Sequence, residues 1–352
     1  MSRIGETTSI AERVEIGERW EAGENDTQIA QAMQRPIATV RKWRRRYQQR
    51  GRAGLVSQMG RPASGVLGNF PKEVSTILLQ MRGVHPGWGP ITLMLEMAED
   101  ERLRGKPLPS RSRIAAYLKQ KHLAKPYERH GEMPEAPIPT VVRPHQEWQM
   151  DAQGRLPVSG VESASIVNIQ DVFSRIRIDS LPCLRTTHVG TRDYQLVLRR
   201  AFFQYGLPEQ ISLDHDSVCY DNQTASPFPT RLHLWLIALG IAVRFIHQPP
   251  PLEHALIERT HQIVTQQAIQ GQTFHSQADL QNMLSNRLHF LNRIYPSRTL
   301  HGQAPLQAFP HAQYTNRPYR LEWEKECLDL QRIYALLAQG RWFRQTTAAG
   351  SF

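Results

Sequence analysis

The sequence predicts an α/β domain with a mixed β-sheet and helices on both faces, preceded by all-helical modules. Three observations lead to this prediction. Apolar residues recur at helical spacing through residues 10–50. Stretches rich in glycine, serine or proline follow at 52–69 and 126–146 and divide the chain. After the second stretch, strand patterns come first in succession and then alternate with helical patterns, which is typical of a mixed sheet.

Length and charge limit the possible classes of protein. With 352 residues the chain is longer than one typical domain, so two or three domains are expected. Lysine and arginine number 43 against 32 aspartate and glutamate, and the net charge of +11 favours a polyanionic partner. A solvated cationic surface would have the same composition.

The cysteine and hydropathy patterns favour a cytoplasmic protein. Cys183, Cys219 and Cys327 are far apart and form no Cys-x-x-Cys pair, so neither a disulfide framework nor a cysteine zinc site is expected. The first residues lack the apolar core of a secretion signal, and the longest apolar-rich stretch, 232–246, is interrupted by polar residues and glycine. No membrane-spanning segment is expected.

Residues 1–51 predict a helix-turn-helix domain. Apolar spacing gives helices at 10–22, 27–33 and 37–50, with Asp26 as the expected cap of the second. In a helix-turn-helix, the second helix of the pair enters the major groove of DNA by its N-terminal residues. The expected contacts to bases or phosphates are Ala38, Thr39, Arg41, Lys42, Arg44, Arg45 and Arg46. An amphipathic helix with a charged outer face is the alternative.

An extended linker is expected at 52–69. Its composition is that of a flexible connector, and its basic residues Arg52 and Arg61 are candidates for contact with a DNA groove.

A second helical domain is expected at 70–125, with helices at 74–81, 90–97 and 110–121. Arg111 and Arg113 give its last helix a basic face, so a second helix-turn-helix or winged module is one interpretation. A small three-helix packing unit would show the same pattern. A proline-rich linker at 126–146 then leads into the next domain.

The α/β core is expected at 147–310. Strands are expected at 148–152, 164–172, 175–180, 210–213 and 241–246, and helices at 188–205, 230–239, 252–269 and 277–293. Residues 311–352 then form a helical and basic tail.

Several motifs of this core together resemble the catalytic core of DDE transposases and retroviral-type integrases, which has a ribonuclease-H-like fold. The motifs are Glu-Trp-Gln-Met-Asp ending at Asp151, Asp-Val-Phe-Ser-Arg starting at Asp171, Gly-Leu-Pro-Glu-Gln-Ile-Ser-Leu-Asp ending at Asp214, the helix bearing Glu258, and the Gly and Pro-Leu pattern of 301–309. The N-terminal helical region brings the resemblance closest to bacterial insertion-sequence transposases. In that family a small β-barrel often follows the core, and 311–352 are too few for a complete one.

The resemblance implies that Asp151, Asp214 and Glu258 are the catalytic and metal-binding residues, with two Mg²⁺ or Mn²⁺ ions per active site. Carboxylates on strand ends and a helix are rigid enough to hold a cation pair. The sequence departs from the family pattern at two places. After the second aspartate the family usually has Asn-Gly, and this chain has His215-Asp216, so Asp216 is a rival ligand. Before the glutamate the family also usually has Asn-Gly, and this chain has His254-Ala255. We expect Arg259 to contact DNA phosphate.

The function implied by the resemblance is that of a DNA transposase. It would bind double-stranded DNA at transposon ends and at the target, cut and join strands, and act as a homo-oligomer because two ends must be held together. A catalytically inactive DNA-binding regulator that keeps the fold is the main alternative. A ribonuclease-H-like nuclease acting on RNA hybrids or branched DNA is a third, but it would not need sequence-reading modules before the core.

Overall fold

The structure is a computed structural model that describes residues 7–56, 65–124, 140–161, 163–183, 189–221, 228–246, 255–326 and 329–339. The chain divides into two compact units, Met1–Asn69 and Phe70–Phe352.

The N-terminal unit contains three helices, α1 (Ile10–Glu21), α2 (Asp26–Ala32) and α3 (Ile37–Arg50), which confirm the predicted helices within one residue. Its apolar core is formed by Ile16, Ile29, Val40, Trp43 and Leu55. The expected cap of α2 was wrong. Asn25, not Asp26, accepts the backbone N–H groups of residues 27 and 28, because Asp26 is already the first helical residue.

A three-helix layer opens the second unit: α4 (Lys72–Val84), α5 (Pro90–Glu99) and α6 (Arg111–Gln120). It packs on the α/β core through polar as well as apolar contacts. The indole Nε1 of Trp88 donates to the carbonyl oxygen of Gln267 at 3.0 Å, and the Gln267 side chain donates to the hydroxyl of Thr92 at 2.9 Å. The helical layer and the core therefore form one compact unit.

The core is a five-stranded sheet in the order β3-β2-β1-β4-β5. The strands are β1 (Glu147–Pro157), β2 (Ser163–Asp171), β3 (Arg177–Cys183), β4 (Gln210–Leu213) and β5 (Ala242–Phe245). β2 runs antiparallel to β1 and β3, whereas β4 runs parallel to β1 and β5. Two strands differ from prediction by more than one residue: β1 continues to Pro157, and β3 begins at Arg177 rather than at Arg175 and ends at Cys183 rather than at Ser180.

A buried carboxylate explains the late start of β3. Asp171 accepts the backbone N–H of His145 and of Ser174, each at 2.7 Å, and the Ser174 hydroxyl at 2.5 Å. These bonds close a turn, and Arg175 in that turn has a positive φ of 65°. The Asp-Val-Phe-Ser-Arg motif thus shapes the β2–β3 connection.

Helices cover both faces of the sheet, as predicted. On one face lie α7 (Thr191–Tyr205) and α8 (Arg231–Ala238), and their large apolar side chains pack on residues of β1 that include Trp148 and Met150. On the other lie α9 (Ala255–Val264), a turn of π-helix at Thr265–Ile269, and α10 (Gln277–Arg293). Within the predicted helix 252–269, residues 255–264 are α-helical and residues 265–269 form the π-helical turn, whereas residues 252–254 lie outside the described residues.

Short helices follow the core: α11 (Pro305–Ala308), α12 (Trp323–Glu326) and α13 (Leu330–Gln339). Arg317 fixes this segment to the core, because its guanidinium donates to the carbonyl oxygens of Pro208 at 2.5 Å and Gly240 at 2.7 Å. The basic part of the tail expected at 340–352 lies outside the described residues.

Candidate active site and nucleic-acid interface

The basic residues of α3 divide into paired and unpaired groups. Arg44 makes an ion pair with Asp26 of α2 at 2.7 Å, and Arg41, with 56% of its side chain exposed, approaches the same carboxylate at 3.4 Å. Arg45 is exposed and makes no ion pair or hydrogen bond within the described part of the chain. The role of Arg44 in holding α2 against α3 was not visible in the sequence.

Aromatic contacts hold two other cations of α3 along its surface. The Nζ atom of Lys42 lies 5.2 Å from the Trp43 ring and the guanidinium of Arg46 lies 5.1 Å from it. Thr39 is half-buried in the first turn of the helix. The exposed candidates for nucleic-acid contact on this helix are therefore Lys42 and Arg45, with Arg41 partly engaged.

The remaining DNA-contact candidates have varied surroundings. Arg52 pairs with Glu18 at 2.8 Å in an exposed contact, and Arg61 lies outside the described residues. Arg111 and Arg113 are both exposed at the start of α6, and Arg113 stacks on Phe70 at 5.3 Å. Arg259 is exposed on α9 and donates to Gln262 at 3.0 Å.

Two of the three predicted catalytic carboxylates belong to the paired parallel strands β1 and β4 or directly follow them: Asp151 lies within β1, and Asp214 comes directly after β4. β1 and β4 pair with Trp148 opposite Ile211 and Gln149 opposite Ser212. Asp151 and Asp214 each come two residues after the last of these paired positions, Gln149 and Ser212. Because side chains alternate along a strand, the Asp151 side chain is on the same face of β1 as Gln149.

This face of β1 is the one covered by α9. Gln153 accepts a hydrogen bond from Thr265 at 3.2 Å, and Gln170, opposite Gln149, accepts one from Thr260 of α9. Asp151 is itself on the same side, since its Oδ2 atom lies 3.9 Å from the imidazole Nε2 of His261.

A buried ionic network fixes the register of the two strands beneath the carboxylates. Arg244 of β5 donates to Glu147 of β1 at 2.5 Å and to the Ser212 hydroxyl of β4 at 3.1 Å, and Ser212 also bonds to Glu147. Glu147 and Ser212 are buried. The network links β1, β4 and β5, and its residues of β1 and β4 precede Asp151 and Asp214 by two or more positions in the sequence.

Asp216 lies close to the same site. Its backbone N–H donates to the Asp214 carboxylate at 3.0 Å, and its own carboxylate accepts the Ser217 hydroxyl at 3.1 Å. Burial raises the pKa of the Cys219 thiol, and the charges of Asp214, Asp216 and Asp151 raise it further. The same three carboxylates, after burial, raise the pKa of Tyr194. Three negative charges thus converge on one region.

The third predicted carboxylate, Glu258, lies on α9. It is exposed, one helical turn before His261. Within the described residues, no three acidic, histidine or cysteine side chains lie close enough together to hold a metal ion. The carboxylate oxygens of Asp151 and Asp214 are a donor type that Mg²⁺ and Mn²⁺ prefer, so these two residues fit the expected ions.

Three residues near the carboxylates are Tyr194, Cys219 and His261. Tyr194 and Cys219 are buried apolar or weakly polar groups, and nothing in their local sequence indicates a site. His261 had a signal, because it is three residues after Glu258 and therefore on the same helical face.

Comparison with known proteins adds a match at the N-terminus and a likeness of the core. Residues 7–56 match the family model of a homeodomain-like domain. The catalytic core domain of BIV integrase is 16% identical over 48% of this chain and 96% of that chain, with a TM-score of 0.36. A chain of the simian T-cell lymphotropic virus intasome in complex with PP2A regulatory subunit B56 gamma is 17% identical over 66% and 73%, with a TM-score of 0.40.

The HTLV-2 integrase catalytic core domain in complex with magnesium is 15% identical over 47% of this chain and 96% of that chain, with a TM-score of 0.33. These likenesses are distant, so the fold assignment depends on the sheet itself. Its order and its single antiparallel strand, β2, between parallel neighbours are those of a ribonuclease-H-like core. The predicted fold class is confirmed.

The chain thus has a homeodomain-like segment at residues 7–56, followed by a core with a ribonuclease-H-like sheet. None of the helices in the described residues has both the length and the apolar character needed to cross a membrane.

Proposed function

We propose that this protein is a DNA transposase of the DDE type, which binds the ends of its element and catalyses metal-dependent strand cleavage and strand transfer. The observation that supports the proposal is the convergence of the charges of Asp151, Asp214 and Asp216 on Tyr194 and Cys219. Asp151 also lies 3.9 Å from His261 of α9, the helix that bears Glu258. Carboxylates held close together on a rigid scaffold can bind the cations that phosphoryl transfer uses.

The protein's own residues prepare this site for cations. The neighbouring carboxylates of Asp151, Asp214 and Asp216 repel one another, and a bound cation removes that repulsion. Asp151 and Asp214 would hold Mg²⁺ or Mn²⁺, two ions per site, with Glu258 supplied from α9. When bound, such ions activate an attacking hydroxyl or water and stabilise the leaving oxygen at a phosphodiester.

DNA recognition belongs, in this proposal, to the homeodomain-like segment and to basic residues elsewhere. Lys42 and Arg45 on the exposed side of α3 are placed to reach a major groove, and Arg259 extends from the helix that carries Glu258. The double-stranded partners are the element's ends and the target. Because two ends are processed together, the active form is a homo-oligomer.

The test is strand transfer by the purified full chain on DNA that carries the inverted repeats flanking its gene, in Mg²⁺ or Mn²⁺. Asp151→Asn, Asp214→Asn and Glu258→Gln should each abolish product while end binding persists. The matched control is Glu322→Gln, since Glu322 is exposed and makes no described contact. Undiminished strand transfer by Asp151→Asn and Asp214→Asn would reject the proposal.

A catalytically inactive DNA-binding regulator is the second candidate. The position of Glu258, exposed and apart from any three-ligand cluster in the described residues, favours it. End binding by the wild-type chain without strand transfer in either metal, and without stabilisation by metal, would support the regulator over the transposase.

A further inference from the structure

A polar cavity opens at the outer edge of the sheet, between β3, α7 and α10. It has a volume of about 170 Å³, more than ten times the roughly 10–15 Å³ that a single water needs. Three arginines from three elements line it: Arg177 of β3, Arg200 of α7 and Arg293 of α10. With Asp179 as the acidic residue of the lining, three positive charges and one negative charge leave a net charge of +2.

Arg177 is the most deeply buried of these three cations. Arg177 is largely buried, and its guanidinium makes no ion pair or hydrogen bond within the described part of the chain; its Nε atom is fully buried. Burial lowers the pKa of Arg177 to about 10; Tyr295 opposes this shift, and the charge of Arg259 adds to it. A pKa of about 10 leaves Arg177 charged at neutral pH. Buried charges in proteins are normally paired, because an unpaired one loses its hydration without compensation.

The neighbouring groups hold Arg177 in place without neutralising it. The Asn292 side chain accepts the backbone N–H of Arg177 at 2.9 Å and donates to its carbonyl oxygen at 2.8 Å. Asp179 is engaged elsewhere, since Arg200 approaches its carboxylate at 3.2 Å. Arg293 is exposed at the end of α10. Asn292 therefore fixes the backbone of Arg177, and the Asp179 carboxylate is paired with Arg200.

We propose that this cavity binds a phosphate group, with Arg177 as its central ligand and Arg293 at its mouth. The planar guanidinium matches the oxygens of phosphate in a two-bond geometry, and a phosphate dianion balances the charge of the lining better than a carboxylate does. The phosphate belongs either to the DNA backbone or to a free phosphate ion. The proposal is independent of the chemistry at Asp151 and Asp214.

The test measures binding of inorganic phosphate to the full chain by isothermal titration calorimetry at low salt in chloride buffer. Arg177→Gln should weaken phosphate binding by about tenfold or more, the size of one or two charge-assisted hydrogen bonds. Arg298→Gln is the matched control, because Arg298 is exposed, makes no described contact and is not part of the cavity lining. If Arg177→Gln fails to fold, as judged by circular dichroism, the exposed Arg293→Gln should show a smaller loss with a wild-type spectrum.

A second measurement separates the two sources of phosphate. Binding of a DNA duplex is followed by fluorescence anisotropy across a salt series. If the cavity holds a DNA phosphate, Arg177→Gln lowers the slope of log Kobs against log salt by about one. If it holds free phosphate, that slope is unchanged while calorimetric binding is lost. The proposal is overturned if the wild-type chain does not bind phosphate, or if Arg177→Gln and Arg293→Gln bind it as Arg298→Gln does.

Discussion

Arg287 of α10 and Glu96 of α5 form an ion pair at 2.5 Å, with only 8% of the arginine side chain exposed. The same guanidinium donates to Gln267 at 2.8 Å and lies 4.7 Å from the Trp88 ring. These contacts join the three-helix layer to the core across 191 residues of sequence. Burial lowers the pKa of Arg287, and the hydrogen bond and charge of Glu96 oppose that shift. The charged form of the buried Arg287 therefore depends on Glu96.

Removal of Glu96 should therefore destabilise the second unit strongly. Glu96→Ala leaves a buried guanidinium without its carboxylate, and breaking a buried pair from one side costs about 3 kcal/mol or more. The measurement is the urea unfolding midpoint of the full chain. Glu99→Ala, on an exposed position of the same helix, is the control and should change little. Equal midpoints for the two variants would contradict the coupling of the helical layer to the core.

Metal binding should be measurable without any DNA. At about ten times the dissociation constant, Mg²⁺ or Mn²⁺ should stabilise the folded chain by about 1.4 kcal/mol, seen as a rise in thermal midpoint. Asp151→Asn or Asp214→Asn should remove that rise, whereas Glu322→Gln should keep it. Asp216→Asn decides between the rival ligands: a retained rise favours Asp214, and a lost rise makes Asp216 part of the site.

The two neighbouring arginines of α3 should separate DNA binding from stability. Arg45→Ala removes an exposed charge, so DNA binding should weaken and its salt slope should fall by about one, with an unchanged unfolding midpoint. Arg44→Ala breaks the partly buried pair with Asp26 and should cost about 1 kcal/mol of stability. Anisotropy and urea unfolding on the same samples test both. A loss of stability in Arg45→Ala, or none in Arg44→Ala, would contradict the division.

Elements that depend on interactions between residues close in the sequence were predicted well, and contacts between distant residues were not. α3, β4 and α10 match their predicted bounds because each depends on local periodicity and on residues such as Ser276 that cap a helix in place. Asp214 could be placed directly after a strand because the end of β4 follows from an apolar run. The ion pair of Arg44, by contrast, depends on Asp26, which is 18 residues away in the sequence.

Interactions over longer distances were not predictable from periodicity. The Arg287–Glu96 pair and the burial of Arg177 arise only when distant segments pack. The turn that delays β3 also depends on a side-chain bond, from Ser174 to Asp171, that competes with strand formation. Sequence patterns indicate which face is apolar, but not which polar groups meet across it.

A buried histidine should make the core sensitive to acid. Burial lowers the pKa of His233 on α8 from its ordinary 6.5 to about 4, so the folded state holds it neutral. Between those values the unfolded chain binds the proton and the folded chain does not. Stability should therefore fall as pH falls from about 6.5 to about 4, by up to about 3 kcal/mol from this residue. The loss is absent above pH 6.5, where both states are neutral.

His233→Gln should flatten this part of the stability profile, because the amide does not titrate. Urea unfolding at several pH values between 4 and 8 measures it, with the difference from wild type at each pH isolating His233 from the carboxylates that also titrate there. His275→Gln is the control, since His275 is exposed on the same unit. A difference between His233→Gln and wild type that stays constant with pH would show that His233 titrates normally in the folded chain, and burial would then not explain acid sensitivity.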